Sequence, residues 1–283
     1  MSMGDSNSVL CSTGIITHFP DYPSHRPIVD NRAKIDADHF ELMIYPNWYS
    51  NMAEVVADLT SENISFPAVH ADKRIGSLIC EGESGNHRRA LDIFAMNCEV
   101  AKQLGADFAV LHLWGLPCSD QDFGRNLDAL GKCMRIAETF HIGVTVEPLY
   151  CSLRDPLTNF REVSKRYPEC GITMDLRILG YHDQIAELYK HDWMWDRPIR
   201  YFHVNDYAGP AFNIDCGCHP GDGDIDFDAM FGFLASIGFL GTFTMEAASL
   251  DAKGGIRFEK LNRSLGFVKQ KVSRLNRSNC RFQ

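Results

Sequence analysis

The sequence predicts a parallel (β/α)8 barrel, a TIM barrel of the α/β class. Three observations carry that reading. Eight short apolar runs alternate with longer helical patterns to the end of the chain. Several of the runs are apolar throughout, the mark of strands covered on both faces of a parallel sheet. The length of 283 residues suits eight βα units, because such barrels run to about 250 residues as one domain. An open doubly wound sheet with an appended region is the alternative. No internal repeat, low-complexity tract or linker interrupts the pattern, so residues 1–283 read as a single domain.

The strands are expected at Val9–Ile16, Phe40–Tyr45, Ile64–His70, Phe108–Leu113, Val144–Pro148, Gly171–Asp175, Tyr201–Val204 and Gly241–Glu246. Helices are expected at Asn86–Leu104, Phe123–Phe140, Asn159–Arg166, Asp226–Ile237 and Ile256–Val272. In Leu91–Leu104 the apolar Leu91, Phe94, Ala95, Cys98, Ala101 and Leu104 recur at helical spacing and define one buried face. The first βα connection stands apart. Thr17–Asp38 contains Pro20, Pro23 and Pro27 and little helical periodicity, so it reads as an irregular loop over the barrel mouth.

Composition narrows the function classes. Hydrophobic residues at 45% and charged residues at 23% exclude a disordered chain. With 28 Lys+Arg against 37 Asp+Glu, the formal charge of −9 argues against a nucleic-acid partner, which favours a basic face. The ten cysteines are scattered through helices and strands, as reduced buried thiols are. Met1–Ser8 is polar, with no basic start and no apolar stretch, and no apolar run approaches the ~20 residues of a membrane span. The expected address is the cytoplasm.

Catalytic residues of a TIM barrel sit at the C-terminal ends of its strands. Here those ends are rich in polar groups: Glu41 with Tyr45, His70, His112 with Trp114, Glu147, Asp175, His203 with Asn205 and Asp206, and Glu246. A lone carboxylate in such a place is ordinarily a helix cap or a rim group. Glu147, Asp175, His203 and Glu246, however, close four consecutive strands, each after apolar residues. Three carboxylates gathered at one mouth repel one another unless a cation neutralises them. One divalent metal ion bound by those carboxylates and the imidazole is the simplest resolution. The oxygen-rich set with one nitrogen suits Mn²⁺, Mg²⁺, Co²⁺ or Zn²⁺.

The ordered set Val-Glu147-Pro, Met-Asp175, Phe-His203-Val-Asn-Asp206, His219-Pro-Gly221-Asp-Gly223-Asp-Ile-Asp226 and Thr-Met-Glu246 resembles the xylose isomerase-like barrels. That family includes ketose 3-epimerases, other sugar isomerases, inositol-pathway enzymes and apurinic endonucleases. The resemblance runs from about Val9 to Leu265. It implies that Glu147, Asp175, His203 and Glu246 hold one divalent metal, and that Glu147 and Glu246 also act as acid and base. Two departures concern substrate contacts. The family commonly has a histidine three residues after the strand-six aspartate, where Ile178 stands here, with Arg177 and His182 nearby. Many epimerases also carry an arginine soon after the strand-seven histidine, and Tyr207–Pro220 has none.

The endonuclease branch uses histidines matching His70 and His112 as ligands of further zinc ions. Its full set also needs the histidine missing at Ile178 and an Asp-x-His that Asp215-Cys-Gly217 does not supply. In sugar enzymes the resemblance places His70 and His112 in the substrate pocket. Trp114 is a candidate for stacking on a sugar face, with Phe19, Tyr45 and Trp48 as lesser ones, and His219 is a candidate substrate contact. Cys216-Gly217-Cys218-His219 lacks the partner pair of a structural zinc site and reads as a loop. Gly221 and Gly223 then shape a tight turn before the helix near Asp226, and Asp206 reads as a structural anchor. The basic tail Lys253–Arg281 reads as a solvated face of the last helix.

The expected function is a metal-dependent isomerase or epimerase of a sugar or sugar-like polyol, moving a proton through a metal-stabilised enediolate. A metal-dependent dehydratase (lyase) of a cyclic polyol or keto acid is one alternative, and a non-catalytic sugar-binding barrel another. The expected partner is a small sugar or polyol, with neither membrane nor nucleic acid; self-association into a homo-oligomer stays open.

Overall fold

The structure is a computed structural model describing residues 6–17, 24–190, 192–198, 200–209 and 218–279. In chain order its elements are β1 (Ser8–Ser12), α1 (Gly14–Thr17), α2 (Arg26–Asn31), β2 (His39–Met43), α3 (Met52–Ser61), β3 (Ser65–His70), α4 (Arg74–Glu81) and α5 (Ser84–Leu104). Then follow β4 (Phe108–His112), α6 (Phe123–Phe140), β5 (Gly143–Glu147), α7 (Pro156–Arg166), β6 (Gly171–Asp175) and α8 (Leu176–Tyr181). The last elements are β7 (Arg200–Val204), α9 (Phe227–Ser236), β8 (Thr242–Met245) and α10 (Phe258–Asn279). The strands pair in the order β1 to β8 and close into a barrel. The expected fold class holds.

By internal contacts the chain forms two units, residues 41–174 with 196–199, and residues 1–40, 175–195 and 200–283. In the first, β3, β4, β5 and β6 run parallel, and the register sets His112 beside Glu147 at the strand ends. Every residue of β4 is buried, as the unbroken apolar run Phe108–Leu111 demands. In the second, β7 and β1 flank β8, with His203 opposite Thr244. Its outer layer is aromatic: Phe243 stacks on Phe202 at 5.1 Å and on Phe231 of α9 at 5.2 Å. Burying each such ring stabilises by ~1.5–3 kcal/mol.

Several expectations change at the element ends. The first strand stops at Ser12, and Gly14–Thr17 turns into a helix whose Thr17 hydroxyl bonds back to Thr13 O at 2.8 Å. The first connection is irregular as expected, but it is not simply a loop. Arg26–Asn31 is helical, with Pro27 in the first turn, where a missing N–H costs no hydrogen bond. Phe19, Pro20 and Pro23 lie outside the described residues. The third connection holds two helices rather than one, joined at Gly82, whose φ of +78° admits glycine readily. The last helix extends to Asn279, and its basic face is not wholly solvated: Lys271 is buried against Asp228, 2.5 Å away.

Among the described residues all cysteines are free thiols, while Cys216 and Cys280 lie outside them. No described helix is long and apolar enough to cross a membrane.

Candidate metal and substrate site

The end of β5 places Glu147 beneath two imidazoles. His112 Nε2 lies 2.7 Å from Glu147 Oε2, and His70 Nε2 lies 2.9 Å from the same oxygen. The two rings meet edge to face with centroids 4.8 Å apart, and all three side chains are buried. Burial pushes the His112 imidazole down to about 4 against the pull of the Glu147 charge, so the ring is neutral at neutral pH. His70 is more constrained. Its Nδ1 is 2.8 Å from the Ala71 carbonyl, which only accepts, so Nδ1 carries the proton. In a neutral ring Nε2 then turns a lone pair toward a carboxylate oxygen. A second proton or a cation between the two resolves that contact.

Asp175, His203 and Glu246 belong to the unit of residues 1–40, 175–195 and 200–283. His203 Nδ1 stands 2.9 Å from Glu246 Oε2, with the imidazole wholly buried and the carboxylate partly so. Asp175 Oδ1 accepts the Ile178 N–H at 2.9 Å and so caps α8, while its backbone ends β6. Asn205, two residues beyond His203, places its amide 3.5 Å from the same Asp175 oxygen.

Candidate ligand atoms of Glu147, Asp175, His203 and Glu246 all lie within 4.8 Å of one another. The structure thus brings together all four residues expected to bind metal. Carboxylates this close, and largely withdrawn from water, are stable as anions only with compensating positive charge. The donor set of hard oxygens with one imidazole fits a divalent ion. His70, His112 and Glu147 form a second group with ligand atoms equally close, and Glu147 belongs to both.

Residues 29–269 match the family described as the xylose isomerase-like TIM barrel. The chain belongs to that family. No curated protein matches it. Among solved structures, a xylose isomerase domain protein from Alicyclobacillus acidocaldarius is similar at 14% identity and TM-score 0.71, covering 96% of this chain and 100% of that one. A D-tagatose 3-epimerase-like protein is similar at 18% identity and TM-score 0.71, covering 95% and 98%. A 3-keto-D-glucoside 4-epimerase from E. coli is similar at 16% and 0.67, covering 94% and 100%.

In this xylose isomerase-like barrel the remaining expected substrate contacts are placed differently from the cluster. Trp114 is wholly buried, its ring edge to face with Phe123 at 5.5 Å. Its backbone is locked against α4: a Cβ on Gly76 would come 2.3 Å from the Trp114 carbonyl oxygen, so only glycine fits there. His219 uses both ring nitrogens on protein, Nδ1 with Ser264 Oγ at 2.8 Å and Nε2 with Ala248 O at 3.1 Å. It braces its loop against α10. Tyr45 meets Trp48 edge to face at 5.4 Å, and Trp48 is buried.

Asp206 is the anchor the sequence suggested. Its carboxylate accepts the N–H groups of Tyr207, Gly221, Gly223 and Ile225 at 2.8–3.1 Å. Gly223 is required by close approach, because a Cβ there would lie 2.5 Å from Asp206 Oδ1. Cys218 pairs its backbone with Asp206 in a short antiparallel bridge, while Asp215, Cys216 and Gly217 lie outside the described residues.

One contributor escaped the sequence reading, and another was named there without a role. Asn205 stands among the strand-end polar groups, two residues beyond His203, so the strand's two-residue period sets both on one face. Asp120 looks like any helix-preceding aspartate. It is in fact buried and accepts the N–H groups of Ser152, Leu153 and Arg154 at 2.8–2.9 Å, tying the β4–α6 loop to the β5–α7 loop.

Proposed function

We propose that the chain, acting as a single barrel domain in the cytoplasm, is a metal-dependent isomerase or epimerase of a sugar or sugar-like polyol. The carrying observation is the largely buried cluster of Glu147, Asp175, His203 and Glu246 at four consecutive strand ends. Epimerases with names of this kind, such as the D-allulose 3-epimerase of Methylomonas sp., share the fold at 14% identity. A divalent ion held by these four residues supplies Lewis-acid charge that acidifies the carbon beside a carbonyl.

The chain's own groups move the proton. One of Glu147 and Glu246 takes it from that carbon, leaving an enediolate, and the other returns a proton to the opposite face. The reaction consumes no electrons and needs no further reactant. His112 holds Glu147 Oε2 from one side, which orients one carboxylate oxygen. We assign His112, slightly exposed beside the cluster, as the imidazole that meets substrate, whereas Trp114 and His219 shape and brace the loops around it.

The test is proton exchange. The Mn²⁺-loaded protein is incubated in deuterated water with a panel of ketoses and inositol derivatives, and products are read by NMR. Deuterium is expected at the carbon next to a carbonyl, and Glu246→Gln is expected to abolish it while the circular dichroism spectrum is kept. Full exchange in that variant overturns the assignment of Glu246, and no exchange across the panel overturns the isomerase reading.

A further inference from the structure

Asp72, two residues beyond His70, is buried and is held by both its side chain and its backbone, inside the unit of residues 41–174 with 196–199. Arg74 folds over the carboxylate, with Nε at 3.2 and 3.0 Å from the two oxygens and Nη2 at 2.7 Å from Oδ2. The Tyr49 hydroxyl lies 3.0 Å from the same Oδ2. Asn97 of α5, wholly buried, closes the ring. Its Nδ2 is 2.8 Å from Tyr49 Oη, and its Oδ1 is 2.8 Å from the Asp72 backbone nitrogen. The same peptide unit carries the Ala71 carbonyl, 2.8 Å from His70 Nδ1.

Each bond of this network can run only one way. A carboxylate paired with a guanidinium accepts and does not donate, so Tyr49 donates to Asp72. Burial, with the Asp72 charge beside it, pushes the Tyr49 hydroxyl above its ordinary range, and it keeps the proton it donates. The Tyr49 oxygen is then left to accept, and the Asn97 amide gives to it. That turns Asn97 Oδ1 toward the Asp72 N–H. Among the described residues the only cis peptide is Leu116–Pro117, so the Ala71–Asp72 peptide is trans. Its N–H and C=O point opposite ways, and holding the N–H at Asn97 aims the carbonyl at His70. A polarity set by the permanent charge of Arg74 ends on the Nδ1 proton.

We propose that Asn97 and Tyr49 are positioning residues of the site, holding the Ala71–Asp72 peptide so that His70 carries its proton on Nδ1 and meets Glu147 with Nε2. In the other neutral form Nε2 would be a donor set against Glu147 Oε2, 2.9 Å away. The held form instead offers an acceptor to that carboxyl group once it has taken a proton. This consequence for turnover rests on the isomerase reading above, whereas the placing of the His70 proton does not.

The experiment compares wild type, Tyr49→Phe and Asn97→Leu, each with ¹⁵N-labelled histidine and free of metal. Long-range ¹H–¹⁵N spectra read which His70 nitrogen bears a proton and how fast the Nδ1 proton exchanges with water. Wild type is expected to hold a proton on Nδ1. Tyr49→Phe is expected to speed its exchange about 10-fold, the scale of one hydrogen bond lost. Asn97→Leu is expected to speed it further and to spread the proton over both nitrogens. Loaded with Mn²⁺, both variants are expected to introduce deuterium into substrate about 10-fold more slowly than wild type.

A wild-type His70 without a proton on Nδ1 overturns the proposal. So do His70 signals and exchange rates that match wild type in the variants, even beside a lowered melting temperature, which would make the network a brace between the end of β3 and α5. Tyr49→Phe removes a single hydroxyl and decides the matter alone if Asn97→Leu does not fold. A wild type that introduces no deuterium overturns the isomerase reading, while the nitrogen signals still judge this proposal.

Discussion

Two sets of carboxylates in this barrel, wholly or largely buried, are satisfied in opposite ways. Asp120 and Asp206 are saturated by backbone N–H groups drawn from neighbouring loops. Glu147 and Glu246 instead face imidazoles, whose own protons are few and exchangeable. The first arrangement is complete without any ligand and turns loops into fixed walls. The second sets carboxylate oxygens against ring nitrogens, a pairing that a proton or a cation strengthens. Burial of an acid therefore says little about function until its partners are known.

That contrast can be broken by substitution. Asp120→Ala leaves several buried N–H groups without an acceptor and is expected to cost about 3 kcal/mol of stability. Thermal melting of the metal-free protein measures it; an unchanged midpoint would place Asp120 among the dispensable acids. Glu147→Gln should do the reverse. Mn²⁺ affinity is expected to fall by ~100-fold or more, with a smaller shift in melting than the Asp120 variant shows.

Acid sharpens the comparison further. Burial alone would raise the Asp120 carboxyl, but the Leu153 N–H, the Asn159 amide and the neighbouring N–H groups outweigh it and hold it well below the ordinary 3.8. Its contribution to stability is therefore full above that value and is lost as pH falls through the lower, folded value. Wild type is expected to lose its advantage over Asp120→Asn as pH drops below about 4. Parallel denaturation curves from pH 5 to pH 2 would contradict this. The smallest effect is expected from Trp114→Phe. Loss of part of a buried ring costs about 1 kcal/mol, with sugar affinity unchanged. A large loss of sugar affinity there would restore Trp114 as a stacking platform.

The barrel was legible because its signal is periodic. Runs such as Phe108–Leu111 are apolar on every residue, and Phe123–Phe140 has the expected helical bounds in the structure. The four cluster residues were legible because each is a polar group following an apolar strand. What stayed hidden depends on partners remote in sequence. Whether His219 meets substrate or braces a loop is decided by Ser264, 45 positions away. Asn97 breaks the apolar face read for its helix, and only Tyr49 and the Asp72 N–H explain its burial. Short helices such as α8 are set by one cap, Asp175, rather than by a repeating pattern.

Closure of the strand order has a consequence for association. With β1 hydrogen-bonded to β8, every strand among the described residues has a neighbour on each side, so none of those strands offers an open edge to another sheet. Two copies of this chain that meet through the described residues must therefore recognise each other by the side chains of helices and loops. Such contacts can be tuned one residue at a time, without the runaway stacking that an exposed backbone ladder invites.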